Sequence, residues 1–238
     1  MKLAIIGYGR MGHEIEDVAI GRGHEIGLII DKDNTGDLDG QNLKGIDAAI
    51  EFTFPDTALE NILKCLGNGI PVVSGTTGWL GDYDEAAEAC LLNGTSFIHS
   101  SNFSLGVNIL FRLNSELARI LSAYPGYFPS IEEIHHVKKL DAPSGTAISL
   151  VEGILKQNPN FKAWSKGDAA ADDAVPISSV REGMVPGIHT ITWSSEIDNI
   201  SLKHESKSRK GLALGAVVAA EYISSRKGVF TMSDVLGF

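Results

Sequence analysis

Three glycines in six residues, Gly7-Tyr8-Gly9-Arg10-Met11-Gly12, stand between the apolar run Leu3–Ile6 and a helix-periodic segment, Met11–Arg22. A strand that turns through such glycines into a helix can bring its backbone close to a ligand, because no Cβ blocks the approach. The helix start adds unpaired N–H groups and partial positive charge, which suit a pyrophosphate. The next apolar run ends at Asp31, about 20 residues beyond the glycines, where an acid suits the two ribose hydroxyls of NAD. The adjacent Lys32 could instead receive a 2′-phosphate, which keeps NADP open. The alternative is a glycine turn that binds no dinucleotide, with Arg10 and Lys32 as solvated charges.

The first hundred residues alternate short β-branched apolar runs with longer periodic segments. The pattern predicts strands at Leu3–Ile6, Ile26–Ile30, Ala48–Phe52, Val72–Ser74 and Phe97–His99, with helices near Met11–Arg22, Pro55–Asn68 and Tyr83–Leu92. Continuous apolar strands joined by helical crossovers imply an α/β, Rossmann-like doubly wound parallel sheet. After Asn102 the rhythm changes. A helix is expected over Val107–Ser122, a strand over Ile131–Val137, a helix from Ser144, a mobile loop over Asn158–Pro176 and a hairpin from Ile188–Ser194 and Asn199–Glu205. A last apolar helix, Leu212–Ser224, suits packing on the first sheet. The expected organisation is a dinucleotide-binding domain of residues 1–104 and 211–238, interrupted by an inserted α+β domain of residues 105–210, with hinges near Ser104 and Lys210.

Composition narrows the partners. A formal charge of −10 repels a nucleic-acid backbone over most of the surface, so an anionic ligand needs a local basic site. No stretch approaches the ~20 apolar residues that cross a bilayer, so neither nucleic acid nor membrane is an expected partner and the expected location is cytoplasmic. Cys65 and Cys90 lack metal or redox spacing and read as small buried side chains in a reducing compartment; no metal site is expected.

Two further segments fall at carboxyl ends of the predicted strands, where open α/β sheets bind ligands. Ser74-Gly75-Thr76-Thr77-Gly78 could face a cofactor or form a plain β-turn. In Ser100-Ser101-Asn102-Phe103, Asn102 could bond a nicotinamide amide and Phe103 pack on a ring; a helix N-cap with a core phenylalanine fits equally.

The richest stretch is Glu133-Ile134-His135-His136-Val137-Lys138-Lys139-Leu140-Asp141-Ala142-Pro143-Ser144-Gly145-Thr146-Ala147. Two histidines and two lysines concentrate cationic and titratable groups in an acidic protein, which suits anion capture with proton transfer. Strand alternation would place His135, Val137 and Lys139 on one side and His136 and Lys138 on the other. Ser144 is the expected N-cap, and the amides of Gly145 and Thr146 would form a carboxylate cradle. A basic strand edge before an ordinary capped helix is the alternative. A later basic group, His204, Lys207, Arg209 and Lys210, is either a second anion contact or a solvated loop.

Taken together, GYGRMG at Gly7–Gly12, SGTTG at Ser74–Gly78, SNFSLGVN at Ser101–Asn108 and EIHHVKKLDAPSGTA at Glu133–Ala147 resemble the 4-hydroxy-tetrahydrodipicolinate (dihydrodipicolinate) reductase family of lysine biosynthesis. The last motif is the most specific: a His-His pair, a lysine four residues after the first histidine, then Asp-x-Pro-Ser-Gly-Thr. The resemblance implies a two-domain homotetramer in which NADH or NADPH reduces a cyclic dicarboxylate. It implies His135 as acid/base group and Lys139 as proton donor. His136, Gly145 and Thr146 are then carboxylate-binding positions, with Ser144 close by. The implied cofactor positions are Gly7, Tyr8, Gly9, Arg10, Met11, Gly12, Asp31, Lys32, Gly75, Thr76, Thr77, Ser100, Ser101, Asn102 and Phe103. The short Lys32–Ile46 segment leaves the 2′-phosphate contact open, and the absence of arginine beside Lys32 points to NADH with relaxed selectivity. Two other readings compete: another amino- or imino-acid dehydrogenase of similar architecture, and a nicotinamide-binding regulator without chemistry. Retention of His135, His136, Lys139 and Ser144–Thr146 argues against the regulator.

Overall fold

The computed structural model describes residues 1–167 and 172–238, which fall into two compact units: Met1–Leu105 with Arg209–Phe238, and Gly106–Ser208.

In the first unit six strands form one sheet: β1 (Lys2–Ile6), β2 (Glu25–Ile30), β3 (Ala48–Glu51), β4 (Val72–Ser74), β5 (Ser96–His99) and, last in the chain, β11 (Gly228–Phe230). Their order is β11-β5-β4-β3-β1-β2 and every pairing is parallel. Alternate side chains feed two cores. Ala4, Ile6, Ala49, Val72 and Phe97 pack with α2 (Pro55–Gly67) and α3 (Tyr83–Leu92). Leu3, Ile5, Ile50, Val73 and Ile98 pack with α1 (Arg10–Gly21) and α6 (Lys210–Ile223). Burial on both faces explains why these strands read as unbroken apolar runs. From β1 the chain moves outward to β2 and then returns to the far side as β3, so the direction of winding reverses between β1 and β3, where such sheets bind ligands.

The elements after α6 lie outside the sequence expectations. Strand β11 is three residues long and begins with glycine, too short for a period-two signal. Helix α7 (Met232–Leu236) is one turn, held by a reciprocal capping box between Thr231 and Asp234.

The second unit carries a mixed sheet in the order β10-β9-β6-β8-β7. Its strands are β6 (Phe128–His135), β7 (Ala163–Lys166), β8 (Ala174–Arg181), β9 (Ile188–Ser194) and β10 (Asn199–Glu205). The neighbours β6 and β8, like β7 and β8, run parallel; β6 and β9, like β9 and β10, run antiparallel. Helices α4 (Leu105–Leu121) and α5 (Gly145–Gln157) supply Leu110, Ala118, Leu150, Val151 and Ile154 to a core with Ile131, Val175, Ile177, Ile191 and Trp193.

The strand expected over Ile131–Val137 starts three residues earlier and stops two earlier. Pro129 precedes the stretch paired with β8, which begins at Ile131, so its missing N–H removes no bond on that side. Beyond His135 the chain turns, with the Lys139 amide donating to the His136 carbonyl at 3.0 Å, so strand alternation does not govern His136–Lys139. The loop expected over Asn158–Pro176 contains β7 and the start of β8; the part at 168–171 lies outside the described residues. Its polar composition hid two strands, one at the sheet edge.

Candidate active site

At the carboxyl end of the first sheet, Gly7 adopts φ +94°, and a Cβ there would stand 2.0 Å from the Phe52 carbonyl oxygen that follows β3. A Cβ on Gly12 would lie 2.5 Å from the Gly7 carbonyl oxygen. These glycines let the turn between β1 and α1 fold back onto β3. Over Gly9, by contrast, a Cβ would meet nothing within 4 Å, and α1 starts with no side-chain cap and no acid in its first turn. Open backbone before an uncapped helix start fits a dinucleotide pyrophosphate. Tyr8 bonds through its hydroxyl to Glu16 and rests its ring on His13, while Met11 joins the core beside α6. Arg10, Asp31 and Lys32 are exposed.

The Ser74–Gly78 segment belongs to the same edge. A Cβ on Gly75 would strike the Phe52 ring at 2.2 Å. Glu51, fully buried at the end of β3, ties this edge together. Its carboxylate accepts hydrogen bonds from the Ser74 hydroxyl at 2.6 Å, the Thr76 hydroxyl at 2.7 Å and the Thr53 amide at 2.9 Å. A carboxylate removed from water needs such donors. The signal for Glu51 in the sequence is an acid inside an otherwise apolar run.

The Asn102 side-chain oxygen accepts from the Ser104 amide at 2.9 Å just before α4, and Ser100 bonds to the Asn102 backbone. Phe103 is a core residue, its ring centroid 6.0 Å from that of Phe52, so its face is spent on packing. Ser101 and Thr77 are exposed, Thr76 buried.

The second unit holds a buried polar cluster. Register places Glu133 of β6 opposite His189 of β9, and His135 beside Arg181 of β8. One Glu133 oxygen, Oε1, accepts from Arg181 at 3.1 Å. The other, Oε2, accepts from the Ser144 amide at 3.0 Å and faces His135 Nδ1 at 3.5 Å and His189 Nε2 at 3.8 Å. Burial alone would raise the Glu133 carboxyl, but hydrogen bonding from Ser144 and Arg181 outweighs it and holds the group below its ordinary value. Burial lowers His135; Glu133 opposes that shift and the charges of Lys139 and Arg181 add to it. Burial, with His135 nearby, pushes His189 down to about 4.

Around this cluster the turn is cationic. Lys139 Nζ donates to Asp141 at 2.8 Å, which holds Asp141 below its usual range. His136 is half-buried, and its Nδ1 has no hydrogen-bond partner among the described residues. Ser144 caps α5 by accepting from the Ala147 amide at 3.2 Å, while its hydroxyl oxygen also lies 3.2 Å from His189 Nε2. Gly145, exposed, and Thr146, half-buried, form the first turn of α5, which holds no acid. The structure thus gathers His135, Lys139 and the start of α5, and adds Glu133, Arg181 and His189. Glu133 was legible as an acid on the core-facing side of β6; the other two become neighbours only through strand pairing. Of the late basic group, His204 pairs in register with His189, whereas Arg209 and Lys210 belong to the first unit.

Two family models cover almost the entire chain: the N-terminus of dihydrodipicolinate reductase matches residues 1–103 and its C-terminus residues 106–236. The chain belongs to the dihydrodipicolinate reductase family. A 4-hydroxy-tetrahydrodipicolinate reductase of Christiangramia forsetii is 50% identical over 99% of this chain and 98% of its own. One from Chromobacterium violaceum is 36% identical over 93% of this chain and 83% of its own. Among solved structures, a dipicolinate-bound dihydrodipicolinate reductase from Paenisporosarcina sp. TG-14 superposes with a TM-score of 0.79 at 25% identity, covering 97% of each chain. Membership of the dihydrodipicolinate reductase family makes the chain an NAD(P)H-dependent oxidoreductase with a Rossmann-like nucleotide-binding sheet. Among the described residues no helix is long and apolar enough to cross a membrane.

Proposed function

We propose that the protein reduces the cyclic dicarboxylate formed from 4-hydroxy-tetrahydrodipicolinate by loss of water, giving tetrahydrodipicolinate on the diaminopimelate route to lysine. One observation carries the reading most: a buried carboxylate and imidazole pair ends in a cationic turn beside an amide-lined helix start. In this assignment residues 1–104 and 211–238 bind the dinucleotide and residues 105–210 bind the diacid.

A reduced nicotinamide supplies a hydride when bound. Gly7–Gly12 and the start of α1 would hold its pyrophosphate, Asp31 and Lys32 its ribose, and Gly75–Thr77 with Ser100–Asn102 the segment nearer the ring. One substrate carboxylate lies against the Gly145 and Thr146 amides, with His136 as its imidazole contact. Hydride supplied to C4 of the conjugated imine would move electron density to the ring nitrogen; the Lys139 ammonium would stabilise that charge and donate the balancing proton to the nitrogen, with His135 as the acid/base group. Asp31 and the lack of an arginine beside Lys32 support NADH with relaxed selectivity. The assembly is a homotetramer in this proposal, and light scattering after size exclusion measures it directly.

The test follows oxidation of NADH and of NADPH by absorbance after adding substrate freshly generated from aspartate semialdehyde and pyruvate. Turnover supports the reading. Absence of turnover with both cofactors, in protein that binds either one by calorimetry, would overturn it.

A further inference from the structure

We propose that Glu133 and His189 are positioning residues that fix the tautomer and orientation of His135, and that Ser144 couples this arrangement to the start of α5. The inference deepens the reading above and rests on His135 being its acid/base group.

Glu133 is wholly buried, so it does not itself meet a ligand arriving from solvent. Both its oxygens are nonetheless occupied. Arg181 anchors Oε1, and the Ser144 amide anchors Oε2, which leaves the carboxylate immobile with Oε2 turned towards two imidazoles. His135 Nδ1 lies 3.5 Å from Oε2 with no hydrogen bond formed, so the carboxylate acts through its charge: it favours a proton on Nδ1, whereas a lone pair there would face negative charge. The neutral ring therefore carries its hydrogen on Nδ1, and Nε2 is the nitrogen free to accept or return a proton.

The protein keeps room at that second nitrogen. Gly187, at φ +157°, has no Cβ, and one built there would lie 3.1 Å from His135 Nε2. His189 closes the other flank: the two rings sit edge to face with centroids 5.0 Å apart. His189 Nε2 meets the Ser144 hydroxyl, and the same oxygen caps α5. Moving His189 thus shifts the His135 wall and the first turn of α5 together. The charged and titratable groups facing His135 are Glu133 from its own strand, Lys139 and Asp141 from the turn, Arg181 from β8 and His189 from β9.

The chemistry needs a ring that presents one nitrogen in one state. Were the hydrogen on Nε2, the accepting nitrogen would point at Glu133 and away from any ligand. Fixing the tautomer by a buried acid removes that inactive half of the population and stabilises the imidazolium once formed.

The first measurement uses the unaltered protein: nitrogen-15 correlation spectra of its histidine rings at neutral pH. A His135 signal with hydrogen on Nδ1 is expected; one with hydrogen on Nε2 overturns the proposal whatever the activity. The second compares Glu133→Gln and His189→Gln with the parent. Glu133→Gln should lower kcat/KM by roughly 10- to 100-fold, move the midpoint of its acid limb downward and mix the His135 tautomers, with cofactor affinity unchanged. His189→Gln, in which an amide replaces the imidazole, should loosen the His135 ring and raise KM more than it lowers kcat. Glu133→Asp should recover part of the rate, which loss of packing alone would not predict. An unchanged acid limb and tautomer in folded Glu133→Gln, or unchanged KM and kcat in folded His189→Gln, would overturn the proposal. A shifted tautomer at parental activity would instead remove His135 from the catalytic reading while the tautomer assignment stands.

Discussion

Arg181 donates to the Asp141 carbonyl at 2.6 Å and to the Lys139 carbonyl at 3.3 Å while its guanidinium also holds Glu133. One fork-shaped side chain therefore sets the backbone of the turn that carries Lys139 against the buried acid beneath it. Lysine has no second donor plane to do both. Arg181→Lys should lower kcat/KM by about 10- to 100-fold with cofactor affinity unchanged, and cost roughly 1–3 kcal/mol of stability as backbone carbonyls and Glu133 lose partners. Steady-state kinetics, calorimetry and urea unfolding measure the three effects.

Lys139 is the cation of the turn proposed to meet the charge that develops on the substrate. Lys139→Met keeps much of the side-chain volume and removes the charge. The expected loss in kcat/KM is on the order of 10²–10⁴, borne mainly by kcat. A change of only a few-fold would remove Lys139 from the chemistry.

At the nucleotide edge the sharpest test is Gly7→Ala. The new methyl would need both a left-handed backbone and the space held by the Phe52 carbonyl oxygen, 2.0 Å away. We expect weaker NADH binding in calorimetry and a loss of about 1–3 kcal/mol in denaturant unfolding. Gly9→Ala meets no such atom and should fold like the parent, so any loss of NADH affinity there reports the ligand's approach to the backbone.

Acid should destabilise the second unit through His189. Its ordinary value is 6.5 and burial brings it to about 4 in the folded state. Between those pH values the unfolded chain binds a proton that the folded chain refuses, so this contribution is fully present above about pH 6.5 and falls as pH drops towards 4. The loss is at most about 3 kcal/mol. Urea midpoints across that window should fall less steeply in His189→Gln.

Most of the first sheet was readable because its strands are buried on both faces and each is punctuated by a turn, so period and length agree. The second unit was less so. Polar residues at Ser178 and Ser179, and Pro176, disguise β8, and alternation misled beyond His135 because a turn, invisible to periodicity, intervenes. His135, Lys139 and Ser144 stand in one contiguous motif and could be singled out from sequence. Arg181 and His189 lie far beyond this motif in the sequence and enter the cluster only through the register of β8 and β9. Phe103 shows the converse: at a ligand-facing edge its ring was needed by the core.

The first unit is split along the chain, and the split dictates an order of assembly. One of its two cores needs Ala213, Ala216, Val217 and Ala220, which the ribosome delivers only after all of residues 106–208. During synthesis Leu3, Ile5 and Ile50 therefore wait without the helix that covers them, whereas the contiguous second unit has its whole core in hand first. Truncations within α6 should accordingly yield nascent chains that expose the first sheet to chaperones and proteases.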